Sequence, residues 1–346
     1  MSAAAPLTPG VVNQLLGEYG ALTRAALKEY LPEARPSRYL YDLLRIYPER
    51  GGKMMRSTLC IATAKAFGAS TEQSVRTAAA IELLHNALLI HDDIQDESEL
   101  RRGAETLHQL YEVPLAINAG DALCLMSLRP LLDNRFELGS SRSLRILEEA
   151  QRMAIESAEG QALELGWQFD NVLELDASNY LEMVLKKTCW LATIYPMRVG
   201  AIIARGAQQP LDRFIHFGFL LGAAFQIQDD LLNLYADNVY GKELNGDLWE
   251  GKRTLMLMHV WQHADASGRR RIKRIMSEER QARSGVDIHW LRRRMDRYGS
   301  IRYARQLAHA LAGAASVEFE RLYGHLPESD DKAFVRGLPT WVFERT

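Results

Sequence analysis

The chain has 346 residues, 47% of them apolar and 25% charged, with 42 Lys+Arg against 44 Asp+Glu and a net charge of −2. This is the composition of a folded globular protein, and it excludes a disordered chain or one drawn as a whole onto nucleic acid or an anionic membrane. Cys60, Cys124 and Cys189 lie far apart with no CxxC pair, which excludes a disulfide scaffold and a zinc site of the usual spacing and fits a reducing compartment.

The predicted elements are helical from the start. Thr8-Pro9 reads as an N-cap followed by proline at the first helical position, and Val12, Leu15, Leu16, Tyr19 and Leu22 mark one face. The opening MSAAAPLTPG has no basic segment ahead of an apolar one, so no secretory signal is expected. Gly51-Gly52 precedes Lys53 and Arg56, which at i and i+3 are predicted to share a helix face. A largely apolar helix from Ile81 to Ile90 carries His85 and ends at Asp92, Asp93 and Asp96; Arg101-Arg102-Gly103 follows. A long helix is predicted where Ile146, Leu147, Ala150, Met153, Ala154, Ala158, Ala162 and Leu165 recur at helical spacing. Lys187-Thr188 comes next, and then a second apolar helix, which carries Gln226 and ends at Asp229, Asp230 and Asn233. Lys242 and Lys252 lie beyond it. No βαβ rhythm and no Gly/Ser linker interrupts the pattern, and no apolar run approaches the ~20 residues of a bilayer span. The expectation is one all-α domain over 1–346 with no transmembrane segment, soluble and cytoplasmic.

The acidic residues carry the chemistry. On a helix Asp92 and Asp96 stack at i and i+4, with Asp93 about 100° around. Carboxylates gathered at the negative end of a helix dipole repel one another, and hard divalent cations bind their oxygens. One such cluster is ordinarily a solvated helix end. Here LLIHDDIQD is echoed by FQIQDDLLN, as two helices facing each other across a cavity would require. Facing sets could hold several Mg²⁺ ions, which bridge to phosphate oxygens, while arginine forks hold phosphate directly. Acidic clusters alternating with Lys and Arg therefore point to a metal–diphosphate site.

With those residues assembled, the chain resembles the trans-isoprenyl diphosphate synthases (polyprenyl synthetases) of the farnesyl/geranylgeranyl type. GGKMMRS, LLHNALLIHDDIQDESELRRG, NAGDAL, GQALEL, KKTCW, FQIQDDLLNLYAD, GKELNGDLWEGKRT and VFER appear in the family's order over positions 51 to 345. The resemblance implies the isoprenoid synthase fold, a large helical bundle around a central apolar cavity. It implies that Asp92, Asp93, Asp96 and Asp229 hold Mg²⁺, three ions in all, with Asp230 supporting through water. Arg101, Lys187 and Lys242 would grip the allylic diphosphate. Lys53, Arg56, His85 and Arg102 would bind isopentenyl diphosphate, and Thr188 and Gln226 would line the reacting centre. The implied reaction is ionisation, condensation and proton loss to a longer all-trans prenyl diphosphate, by a homodimer. Met54, Ser57 and Asn233 depart from the family's motifs; Asn233 brings no charge to a metal.

In this family the residues just before the first acidic motif wall the product tunnel. Leu88 and Ala87 stand four and five positions before Asp92, with Leu84 and Ile81 deeper. The small Ala87 predicts a product longer than farnesyl, geranylgeranyl diphosphate, and predicts that Ala87→Phe shortens it; Cys124 and Met126 on an opposing helix could also close the tunnel. The alternatives are a farnesyl or longer-chain synthase, a terpene cyclase and a regulatory subunit. The cyclase lacks its usual second metal motif here, and such a subunit would be expected to lose acidic motifs. Segment 261–310 holds 13 Lys+Arg against 5 Asp+Glu. A nucleic-acid patch would want interleaved aromatics and a recognised module; the segment reads instead as a solvated helix face or a weak membrane contact, with no nucleic-acid partner expected.

Overall fold

The apolar periodicity resolves into helices along nearly the whole chain. A computed structural model describes residues 9–206, 210–235 and 244–344. In order come α1 (Pro9–Glu29), α2 (Asp42–Glu49), α3 (Met55–Ala66), α4 (Thr71–Gln95), α5 (Leu107–Met126), α6 (Leu128–Asp133), α7 (Arg135–Leu138), α8 (Ser140–Phe169) and α9 (Ala177–Val184). The last runs through a π-helical segment, Leu185–Ile194, into α10 (Tyr195–Arg205). There follow α11 (Arg213–Asn233), α12 (Gly246–Glu250), α13 (Leu255–His263), α14 (Ala266–Ser277), α15 (Gly285–Arg297), α16 (Ser300–Tyr323) and α17 (Asp330–Glu344).

Helix α4 organises the bundle. Ser70 caps it reciprocally with Gln73, its hydroxyl accepting from the Gln73 amide while Gln73 Oε1 accepts from the Ser70 amide at 3.1 Å. Ala78, Ala79, Ala80, Ile81, Leu83 and Ala87 are buried around most of its circumference, as befits a helix with neighbours on every side. One face joins the main core with α3, α8, α10 and α11; the other packs with α1, α2 and α5 in a second cluster.

A close approach sets the position of α8. A Cβ on Gly160 would lie 2.1 Å from the backbone nitrogen of Lys187, so only glycine lets α8 touch the π-helical segment there. Such wide turns recur at functional sites, and this one carries Lys187 and Thr188.

Strand content among the described residues is a two-residue hairpin, β1 (Leu100–Arg101) against β2 (Ala104–Glu105), with Leu100 opposite Glu105. Arg102 and Gly103 form its turn with φ of 55° and 75°, the double left-handed geometry that matches strand twist. The turn aims consecutive arginines in different directions.

The stretch Leu107–Leu138 meets the length and hydropathy of a bilayer span by composition, at a mean hydropathy of 1.3, which the sequence reading overlooked. Its helix is kinked at Glu112 (φ 63°, ψ 162°), followed by Pro114, and one side packs on α4.

Candidate active site

A cavity of about 1020 Å³ runs between α4, α8, the π-helical segment and α11. Its polar end holds Asp92, Asp229, Asp230, Asp247, Lys187 and Lys252; its walls are Ile81, Leu84, Leu88, Leu131, Leu147 and Phe225. The two acidic motifs therefore face each other across one apolar chamber, as their echo in the sequence suggested.

Two acids of the first motif, Asp92 and Asp96, are already matched to cations. Lys187 Nζ is 3.1 Å from Asp92 Oδ1 and also ion-paired to Glu164. Lys252 Nζ is 2.6 Å from Asp96 Oδ2 and 2.8 Å from Glu250. Burial disfavours both ammonium groups, but the surrounding carboxylates more than offset it and hold both lysines above the usual range. Burial raises the Asp96 carboxyl; Lys252 opposes that shift and Asp92 adds to it. Neither Asp96 oxygen accepts a hydrogen bond of good geometry; the carboxylate is buried off the cavity wall, against the Lys252 ammonium. Asp230 is raised by burial and accepts from Tyr180 and Gln226, both at 2.7 Å. Thr188 and Gln226 come together as expected: the threonine hydroxyl donates to Gln226 Oε1 at 2.9 Å on the cavity wall.

Other residues stand elsewhere than the sequence suggested. Asp93 is fully buried and does not line the cavity. It accepts from Tyr47 Oη at 2.5 Å and forms a fork with Arg101. Its position about 100° round from Asp92 turns it toward α2. Arg101, expected on diphosphate, is spent on Asp93, with Asp92 at 3.5 Å. Lys53 and Arg56 do not share a helix face, because α3 begins only at Met55, after Met54 in a left-handed conformation (φ 52°). Arg56 lines the main cavity, whereas Lys53 lies 5.7 Å from the Trp341 ring centroid in a second cavity of about 420 Å³. Arg102 donates to Tyr47 O and Asn86 Oδ1, with its guanidinium against Gly52. Ala87 is fully buried in the cluster shared with α2 and α5 and is not on the cavity wall, whereas Leu88, Leu84 and Ile81 of α4 are. Cys124 borders the cavity; Met126 does not. Lys242 lies outside the described residues.

The departures have physical readings. Ser57 donates to Glu82 Oε1 at 2.9 Å, so it steadies a buried carboxylate beside Arg56 and His85. Burial would raise Glu82, but His85, Arg56 and Ser57 bring it down to about 2. Burial and Arg56 push His85 down to about 4, so His85 is neutral near pH 7 and Arg56 and Ser57 are what keep Glu82 ionised. Asn233 accepts the Asp247 amide at 3.0 Å, tying the end of α11 to α12. Asp247, in turn, presents a carboxylate to the cavity. Arg283 donates to Trp249 O, and Arg253 to Gly251 O and Val172 O, which fixes the turn between Asp247 and Lys252.

The sequence reading left out Tyr47, Glu82, Glu164 and Asp247, and noted Lys252 without assigning it. Glu82 had a signal, an acid on an otherwise apolar helix. Glu164 and Asp247 lay inside quoted motifs. Tyr47 had none, because it meets Asp93 only in the folded chain.

The polyprenyl synthetase family model matches residues 37–289. A short chain isoprenyl diphosphate synthase of Methanothermobacter thermautotrophicus is 31% identical over 96% of this chain and 98% of its own. The crystal structure of geranylgeranyl pyrophosphate synthetase from Pyrococcus horikoshii has a TM-score of 0.83 at 31% identity, over 96% of this chain and 99% of that one. Geranylgeranyl pyrophosphate synthase from Corynebacterium glutamicum, complexed with isoprenyl diphosphate and magnesium, has a TM-score of 0.85 at 25% identity, over 96% and 99%. The chain belongs to the polyprenyl synthetase family, with its all-α isoprenoid synthase fold. It is a trans-prenyltransferase, an isoprenyl diphosphate synthase.

Proposed function

We propose that the protein condenses isopentenyl diphosphate with an allylic diphosphate and releases geranylgeranyl diphosphate. The depth of the cavity carries the choice of product. From Asp92 to Ala80, the deepest wall residue on α4, there are twelve residues, about 18 Å of helix rise. An isoprene unit advances a chain by about 5 Å, four carbon–carbon bonds of ~1.5 Å in zigzag. Four units therefore reach just past Ala80, where Leu128, Leu131 and Leu147 continue the wall.

The donor set fits Mg²⁺. Asp92, Asp229, Asp230 and Asp247 face one space, and hard oxygen ligands are what this ion takes, usually alongside substrate phosphates. Three ions are proposed, with Asp92, Asp96 and Asp229 as principal ligands and Asp93 acting through Arg101. Bound Mg²⁺ supplies positive charge that stabilises the departing diphosphate. Lys187 and Lys252 are placed to hold that diphosphate's oxygens, and Lys242 is proposed to share that role. The apolar walls exclude water from the allylic cation, while the Thr188 hydroxyl and Gln226 carbonyl offer oriented dipoles beside it. Arg56, neutral His85 and Arg102 are proposed to bind isopentenyl diphosphate; Lys53, which lies in the second cavity, would have to reorient to join them. The proton lost after condensation goes to the released diphosphate, so no protein base is required.

The 346 residues act as one domain; α17 returns to α1, where Trp341 donates to Asn13 at 3.1 Å. A homodimer is proposed because Leu110, Val113, Ile117, Leu125 and Phe136 are exposed along α5–α7 and form an apolar face suited to a second copy. The three cysteines are free thiols, in keeping with a cytoplasmic setting. The test is incubation with Mg²⁺, isopentenyl diphosphate and each of dimethylallyl, geranyl and farnesyl diphosphate. Geranylgeranyl diphosphate should accumulate from all three; no elongation from any primer would refute the assignment.

A further inference from the structure

The basic excess of segment 261–310 is gathered on a surface beside the polar end of the cavity. Arg271 and Arg274 of α14 both reach Asp287 of α15, at 2.8 and 3.0 Å, and lock the two helices together. Trp290 lies between Arg271 and Arg294, whose guanidinium carbons are 4.5 and 5.0 Å from its ring centroid. Beside this joint Arg270 and Lys273 are exposed on α14, and Arg293 and Arg297 on α15. None of these four has an ion-pair partner among the described residues. On α15 positions 290, 293, 294 and 297 form a single stripe, so these charges point the same way.

Two further observations locate and characterise this surface. Arg283, between α14 and α15, donates to Trp249 O, and Arg280 is 3.8 Å from Glu250, so the α14–α15 turn sits on α12, which carries Asp247 to the cavity. Large apolar side chains also stand out here. Val286, at the start of α15, is 72% exposed. Phe169, at the end of α8, is 92% exposed, and Asn171 just beyond it donates to the Lys273 carbonyl at 3.0 Å.

We propose that α14 and α15, with Phe169, form a docking surface for an anionic lipid bilayer. Lysine and arginine near a membrane surface are each attracted by anionic headgroups, and exposed apolar side chains add insertion into the interface. The rest of the chain holds 29 Lys+Arg against 39 Asp+Glu, so it is repelled from the same surface. That charge asymmetry orients the protein with the cavity's polar end near the bilayer. Single-stranded nucleic acid would need a row of open aromatic faces to stack on; guanidinium groups already occupy Trp290, and Phe169 stands alone. The usefulness of the surface rests on the elongation reading, because a prenyl diphosphate is amphiphilic and partitions into lipid. The geometry does not depend on that reading.

The test is co-sedimentation of the full chain with phosphatidylcholine vesicles, with and without about a third phosphatidylglycerol. Binding should be at least about tenfold greater on the anionic vesicles and should fall steeply with salt. The combined variant Arg270→Gln/Lys273→Gln/Arg293→Gln/Arg297→Gln should lose that preference while extending a soluble primer at the parent rate. Phe169→Ser should weaken binding at high salt more than at low. Equal binding to both vesicle types, a variant that binds like the parent, or capture of RNA in preference to vesicles would overturn the proposal. A parent protein that binds anionic vesicles but elongates nothing would remove the proposed function and leave the surface standing.

Discussion

Leu84→Phe is the sharpest probe of the tunnel. Leu84 is half-buried on the cavity wall, eight residues before Asp92, or about 12 Å down α4. That depth holds between two and three isoprene units of about 5 Å. A phenyl ring there leaves room for two units, presses on the third and stops a fourth from passing the ring. Overpacking of this kind costs about 1–3 kcal/mol, and 1.4 kcal/mol is tenfold in a ratio. The ratio of twenty- to fifteen-carbon product should therefore fall by about tenfold or more. Chromatography of the dephosphorylated alcohols reads the ratio directly. Leu88→Phe, only about 6 Å below Asp92, should shorten the product further. A folded Leu84→Phe variant that still makes the parent's twenty-carbon fraction would refute the placement of the tunnel along this face. Ala87→Phe is a different experiment in this structure: Ala87 is fully buried against the α2–α5 cluster, so the substitution should cost stability, by about 1–3 kcal/mol in a thermal or denaturant melt.

Other outcomes follow from the site. Lys187→Met leaves Asp92 and Glu164 facing each other uncompensated; it should lower kcat/KM for the allylic diphosphate by about a hundredfold or more, with a smaller effect on isopentenyl diphosphate. Gly160→Ala places a carbon 2.1 Å from the Lys187 nitrogen; it should lower both the melting temperature and kcat, because backbone rather than a flexible side chain must yield. His85 titrates near 4 in the fold against about 6.5 in the unfolded chain, so the unfolded chain binds the extra proton between those values. Stability should then decline as pH falls from 6.5 toward 4, by about 3 kcal/mol from this group, and His85→Asn should flatten that limb of a denaturation series. Asn233→Asp keeps an acceptor for the Asp247 amide but adds a negative charge near Asp230; it should preserve the fold and lower the Mg²⁺ concentration needed for half-maximal activity.

Much of this site could be read from residue order. Asp92, Asp229, Lys187, Thr188 and Gln226 line one cavity because two apolar helices end at the same level and a third segment crosses between them. What escaped was direction. Asp93 and Ala87 lie on α4 as expected, yet both turn toward α2 and α5, because those helices cover that side of α4. Lys53 was assigned to a helix that begins two residues later, after Met54 takes a left-handed conformation. Arg101 and Arg102 are adjacent in sequence and diverge because a hairpin turn separates their paths. The Tyr47–Asp93 bond joins residues 46 apart, and no local pattern encodes it.

Lys187 and Lys252 give the resting protein a further property. Each holds, with a tethered ammonium group, a carboxylate that a divalent ion would need. A bare ion approaching the pocket must evict a charge that cannot diffuse away, so free metal gains little by entering. A diphosphate changes that balance, because it offers each displaced lysine a new anion to hold. Metal and substrate are thus expected to load as a single package. With no phosphate bound, the same ion pairs would keep the chamber electrostatically closed without a stored ion.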